Sequence, residues 1–290
     1  MKLDYISARG DRLPLVNNNL FVLTNIDGLT AANASISSSV IGGADGDVVT
    51  NVQADPRPLI IDLRIKDGAD VEAAKRAVLK VVKVKQRGTL EWTQDDRTIA
   101  ISGIVESIEM PRWTNSVAMQ IALYCDQPFW EDIDFVIKQI NETINLHYFV
   151  DAETDMLYFP DDGIVMGEYD TIRTKSFHND GDVAVGLEIS IVALDTVTNP
   201  IIYDGNGNFF GVGYGDGAKQ VVMQAGDNIV ITTHKGRKSV KFGNRNLLPY
   251  VKPQSTWLQL NTGDNLFSID SDDENLSNMS FYLIYKQRYV

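Results

Sequence analysis

Three histidines, His147, His178 and His234, and a single cysteine, Cys125, are the side chains of this 290-residue chain best suited to nucleophilic, acid–base or metal chemistry near neutral pH. Their spacing assembles none of it. No His-x-x-x-His pair exists to hold a zinc ion, and no Gly-x-Ser-x-Gly elbow presents a serine nucleophile. The members of a Ser-His-Asp triad converge from distant positions, so spacing is silent on one. His178 sits beside Asn179 where a strand runs into a turn and reads as structural. Cys125 ends the strand-like run Met119-Gln120-Ile121-Ala122-Leu123-Tyr124-Cys125, which reads as a buried, inert thiol rather than a nucleophile. With one cysteine the chain can form no internal disulfide, which fits folding in a reducing cytoplasm.

Oxygen-rich and glycine-rich segments offer weaker chemistry. The loop starting at Asp204, Asp204-Gly205-Asn206-Gly207-Asn208, places oxygens at alternate positions as a calcium loop does. Such a loop needs Gly sixth and Glu twelfth, and here those are Phe209 and Gly215, so a hairpin turn is expected and no metal. Asp270-Ser271-Asp272-Asp273-Glu274 reads as a solvated acidic loop, with loose calcium binding as the alternative. Gly211-Val212-Gly213-Tyr214-Gly215 lacks the strand-to-helix context of a phosphate loop. Of the four tryptophans, Trp257 lies in an alternating run with Thr256, Leu258 and Leu260. That run reads as a core strand, with sugar stacking on an exposed ring as the alternative. Trp113 follows Pro111-Arg112 in a loop, where it is either core or an interface anchor. No cofactor and no catalytic set is expected.

The elements that position these residues are mostly strands. Residues 15–27 centre on a strand at Leu20-Phe21-Val22-Leu23, and residues 34–41 alternate as a half-buried strand. The glycine-rich tip Gly42-Gly43-Ala44-Asp45-Gly46-Asp47 and the return through Val48-Val49-Thr50-Asn51-Val52 make a hairpin. A strand follows at Leu59 to Ile65. The one clear helix spans about Asp70 to Lys83, with Asp67 or Asp70 as cap and Val71, Ala74, Val78 and Val81 on one face. Strands are expected again at Leu90 to Trp92, Thr98 to Val105 and 117–125. Residues 130–146 fit a helix or an edge strand and are expected to connect two domains, 1–146 and 147–290. The second half is nearly all β: short alternating runs are separated by Asn179-Asp180-Gly181-Asp182, Asn199-Pro200, Ala225-Gly226-Asp227-Asn228 and Gly263-Asp264-Asn265. Many short strands at this spacing imply a sandwich.

Charge narrows the partners. The formal net charge is −13; residues 1–146 hold 15 basic and 20 acidic groups, and residues 147–290 hold 11 and 19. Neither half has the basic excess of a nucleic-acid reader, and an acidic wall suits a conduit better. The start, Met1-Lys2-Leu3-Asp4-Tyr5, lacks the apolar core of a signal peptide. No apolar stretch approaches the roughly 18 residues of a membrane span, so no membrane insertion is expected.

Taken in order, several strings resemble the distal tail protein family of long-tailed phages that infect Gram-positive bacteria. They are Gly46-Asp47-Val48, the helix through Ala73 to Val82 followed by Gly88-Thr89-Leu90-Glu91-Trp92, Gly103-Ile104-Val105-Glu106 and Gln127-Pro128-Phe129-Trp130. The turn clusters named above and the terminal stretch Tyr285 to Tyr289 complete the series. The resemblance covers nearly the whole chain. It implies a mainly β protein: an N-terminal split β-barrel with a helix and a long hairpin, then a C-terminal galectin-like β-sandwich. It further implies a homohexameric ring in the phage tail tip, made in the bacterial host cytoplasm and sited between the tail tube protein and the tail-associated hub protein. DNA would pass through the lumen without specific binding. The hairpin tip from Ile41 to Val49, with Ile41, Gly42, Gly43, Asp45, Gly46 and Asp47 foremost, is expected to make the subunit or tube contacts, together with Trp113 and the edge strands of the barrel. The rival reading is a carbohydrate-binding sandwich module for adhesion to a host surface, centred on Trp257.

Overall fold

The computed structural model describes residues 2–43, 45–110, 118–140, 143–144, 168–169, 174–273 and 278–290. The fold is mainly β with one α-helix among the described residues. It divides into two compact units, Met1–Ile133 with Arg288–Val290, and Asp134–Gln287. The division expected between 146 and 147 falls outside the described residues.

The first unit is built on one antiparallel sheet whose strands run in the order Arg12–Pro14, Lys2–Ser7, Arg87–Gln94, Arg97–Glu109, Ala118–Cys125, Arg57–Ile65 and Phe21–Asp27. Arg57–Ile65 shows why one face must be covered: Leu59, Ile61, Leu63 and Ile65 are fully buried, and the residues between them are not. The helix Val71–Val81 supplies part of that cover with Ala74, Val78 and Val81, the spacing read from the sequence. Asp70 caps it by accepting the Glu72 amide at 2.9 Å. Replacing Asp70 with Ala should therefore cost about 1 kcal/mol, read as a lower urea midpoint at unchanged slope.

Gly88 has a packing reason: a Cβ there would lie 2.1 Å from the Tyr5 hydroxyl, and Tyr5 is buried in the core. Arg288–Val290 belong to this unit as well. Arg288–Tyr289 pairs with Trp130 and Glu131, Arg288 donates to Glu131 at 2.7 Å, and Arg97 lies 3.7 Å over the Tyr289 ring.

The second unit is a sandwich of antiparallel sheets. One has six strands: Val136–Gln139, Met279–Tyr285, Glu188–Ala193, Asn228–Thr232, Ser239–Phe242 and Arg245–Asn246. The other has four: Thr174–Asn179, Gly263–Asp270, Ile201–Asp204 and Phe209–Gly211. Ile189, Ile191, Ile229, Ile231, Phe281 and Leu283 from the first sheet meet Phe177, Ile202, Phe210 and Phe267 from the second in one core. Phe177 and Phe267 meet edge to face at 5.9 Å.

Two expectations are resolved or revised here. The segment 130–146, left open between helix and strand, forms the strands Trp130–Asp132 and Val136–Gln139; the second gains its partner from Met279–Tyr285, far away in sequence. The run 34–41, expected to be half-buried, is exposed on both faces throughout Ala34–Val40. Its alternation is real, but no second layer of described residues lies over either face.

Candidate assembly surface

Ala34–Val40 and Asp47–Ala54 pair only with each other, as a two-stranded hairpin outside the main sheet. The β-branched Ile36, Val40, Val48, Val49, Thr50 and Val52 favour extended backbone here. Gly43 and Gly46 in the loop have φ of +88° and +89°, a region that disfavours side chains, so both turn positions require glycine. Side chains reinforce the pairing: Ser38 donates to Asp47 at 2.9 Å, Ser35 to Asp55 at 2.6 Å and Thr50 to the Ser37 carbonyl at 3.0 Å. A register shift between Ser37 and Ser38 twists the ribbon.

This hairpin carries a concentration of exposed apolar side chains. Ile36, Val40, Ile41, Val48, Val49 and Val52 all expose between 48% and 77% of their surface. An isolated two-stranded ribbon is marginally stable in water, and its unpaired edges can template another chain. Burial against a partner would remove both liabilities.

Of the residues singled out from the sequence, Ile41, Gly42, Gly43, Asp45, Gly46 and Asp47 lie together at this tip, all exposed. Trp113 and His147 lie outside the described residues. The expected tip, Ile41 to Val49, includes Val48 and Val49, while Ile36, Val40 and Val52 extend the exposed apolar surface beyond it, where alternation predicts burial of one face. The interleaved Ser35, Ser37, Ser38 and Ser39, small polar residues opposite branched apolar ones, were the available signal.

The remaining candidate chemistry is committed to structure. Cys125 is fully buried, and burial pushes its thiol up to about 11, away from the thiolate that reactivity needs. Asp204 accepts the amides of Asn206 and Asn208 at 2.9 and 2.8 Å and so closes its own turn. The acidic run is more than solvated: Asp273 accepts the Thr198 amide at 2.5 Å and Asp272 accepts the Asn199 side chain at 2.6 Å. Trp257 is half-buried, with Phe210 4.8 Å away and the Lys238 ammonium 5.3 Å over its ring. No group of three or more His, Cys, Asp or Glu side chains is arranged for a metal among the described residues. No described helix is long and apolar enough to cross a membrane.

His178 is exposed and donates from Nδ1 to Asp264 at 2.7 Å, with Asp180 3.5 Å from Nε2. The Asp264 hydrogen bond raises its pKa above 6.5, outweighing the desolvation that lowers it, and the charges of Asp180 and Asp264 add to the rise. A raised folded pKa stabilises the fold fully below the unfolded value and ceases to do so as pH rises through the folded one. Solvent screening keeps that contribution small. Proton NMR should find the His178 midpoint above 6.5, and Asp264→Asn should lower it; an unchanged midpoint would mean that the pair does not persist in solution.

No protein-family model matches the chain, and no curated protein matches it in sequence. Among solved structures it is similar to the Dit protein (gp 19.1) of phage SPP1, described as a paradigm of the hub adsorption apparatus in phages infecting Gram-positive bacteria. Identity is 13%, the TM-score is 0.66, and 99% of each chain is covered. The phage P2 baseplate in its activated conformation with Ca also matches, at 12% identity and a TM-score of 0.46, covering 100% of this chain and 99% of that one. The resemblance to distal tail proteins read from the residues thus holds at the level of fold: from end to end, the chain has the fold of SPP1 Dit.

Proposed function

We propose that this chain is a structural component of a phage tail tip, a homohexameric ring that joins the tail tube to the tail-associated hub protein. The observation that carries the reading is the fold shared with SPP1 Dit over 99% of both chains. The exposed apolar hairpin supports it, because a heterologous contact repeated by rotation closes into a ring. The hairpin tip and its strands make the contact to the next subunit or to the tube. DNA passes through the lumen without specific binding, in keeping with a net charge of −13. The chain performs no catalysis in this role.

Light scattering across a concentration series tests the ring. The expected particle is about 193 kDa, six copies of the 32.2-kDa chain, and ring-shaped in negative stain. A monomer at every concentration, both alone and mixed with the tube protein of the same phage, would overturn it.

A further inference from the structure

The second unit is acidic, with 21 Asp and Glu against 11 Lys and Arg, yet its cations are not spread evenly. Seven of the 11 are Lys219, Lys235, Arg237, Lys238, Lys241, Arg245 and Lys252, and residues 228–263 contain no Asp or Glu at all. Among the described residues none of the seven forms an ion pair. Asp216, in the turn before Lys219, is the nearest acidic residue in sequence on that side. Asp227, on the other side, holds the Gln224 amide at 2.8 Å.

The fold gathers several of them around one turn. Arg245 opens the outermost strand of the six-stranded sheet, paired with Phe242, whereas Lys241, one register step away opposite Asn246, belongs to the other face of the sheet. Arg245 donates to the Tyr250 hydroxyl at 2.5 Å, with its guanidinium carbon 4.8 Å from the ring. Lys219 lies 4.9 Å from the same ring and donates to the Pro249 carbonyl at 2.9 Å. Lys252 and Lys238 lie over Phe209 and Trp257 at 5.8 and 5.3 Å. Between Arg245 and Tyr250 the turn Leu248–Tyr250 holds Leu248 40% exposed, beside an exposed Pro249.

We propose that this edge, centred on Leu248 and ringed by Lys219, Arg245 and Tyr250, is a docking surface for an acidic protein segment carrying an apolar side chain. Charge complementarity selects an anionic partner. An apolar centre within a polar rim, with Tyr and Arg as anchors, is the anatomy of a protein interface. A phosphate polymer would leave Leu248 and Pro249 without a counterpart. Single-stranded nucleic acid stacks on open aromatic faces, and here cations lie over Tyr250, Trp257 and Phe209. Lysines can also blunt a sheet edge against aggregation, but that needs charges on the edge strand alone. These cations come from several segments, and four of them are held against rings. The surface belongs to the second unit alone and does not depend on ring formation.

The test uses the full chain and fluorescence anisotropy of a labelled short peptide of alternating Glu and Leu. Polyglutamate and inorganic polyphosphate of equal charge serve as competitors. The alternating peptide should bind about 10-fold more tightly than polyphosphate. Arg245→Glu should weaken it about 10-fold, a change of about 1.4 kcal/mol, and Leu248→Ser should weaken the peptide while leaving polyphosphate unchanged. Lys219→Glu is the second charge variant should Arg245→Glu alter the circular dichroism spectrum. Equal or tighter binding of polyphosphate with no effect of Leu248→Ser would make this a general polyanion surface and overturn the proposal. Failure of the alternating peptide to bind would overturn it as well.

Discussion

The double substitution Val40→Asp with Val49→Asp is expected to convert the assembled particle into a 32.2-kDa monomer while leaving the fold of that monomer intact. The two side chains are 77% and 56% exposed, and every residue of both hairpin strands is exposed. Substitutions at such surface positions ordinarily shift stability by no more than about 0.5 kcal/mol. In an interface the same positions weigh far more. Burying a valine side chain is worth about 1.5–3 kcal/mol, and a carboxylate in its place adds the cost of desolvating an unpaired charge. Two positions lost together should cost about 3–6 kcal/mol per contact by that range, or roughly a 100- to 10,000-fold weakening. Light scattering gives the mass, and circular dichroism with a urea midpoint reports the fold. Unchanged mass would remove the hairpin from the interface. A monomer with a lowered midpoint would show that the hairpin supports the fold itself.

How far the sequence discloses this molecule depends on whether the deciding partner is local. The helix was legible because its stripe, Ala74, Val78 and Val81, and its cap, Asp70, lie within one short segment. The second half is legible as β because its alternating runs are cut by turn clusters: Ile201–Asp204 follows Asn199-Pro200, and Asn228–Thr232 follows Ala225-Gly226-Asp227. The hairpin was found, but not its exposure, since alternation reports two unlike faces without saying that anything covers one. Val136–Gln139 could not be assigned because its pairing partner lies more than 140 residues further on. The basic edge was hidden for a different reason. Counting charge by halves averages Lys219 to Lys252 against the carboxylates of the same half, and only the strand order brings Arg245 and Lys219 to one tyrosine ring.

Asn199 is where a turn signal understated its residue. Asn199-Pro200 reads as a turn marker, yet Asn199 is 1% exposed and sits at a φ of +50°. Its carboxamide oxygen accepts the Val221 amide at 2.9 Å, while its nitrogen donates to the Gly215 carbonyl at 3.0 Å and to Asp272 at 2.6 Å. One side chain therefore ties the 213–221 segment and the 270–273 loop to the start of Ile201–Asp204. Gly213 answers to the same residue: a Cβ there would lie 2.2 Å from the Asn199 oxygen. Asn199→Ala removes all three bonds and strands the buried Val221 amide, at about 1–3 kcal/mol for an orphaned donor. Alanine in left-handed backbone adds about 1–2 kcal/mol. The sum, about 2–5 kcal/mol, is a large share of a domain's usual 5–15 kcal/mol. Asn199→Gly loses the same bonds without the backbone strain, so it should be milder than the alanine variant by about 1 kcal/mol. Urea midpoints of the two variants separate the contributions. Equal losses would place the whole effect in the hydrogen bonds, and a loss under 1 kcal/mol in both would mean that water replaces the carboxamide at that position.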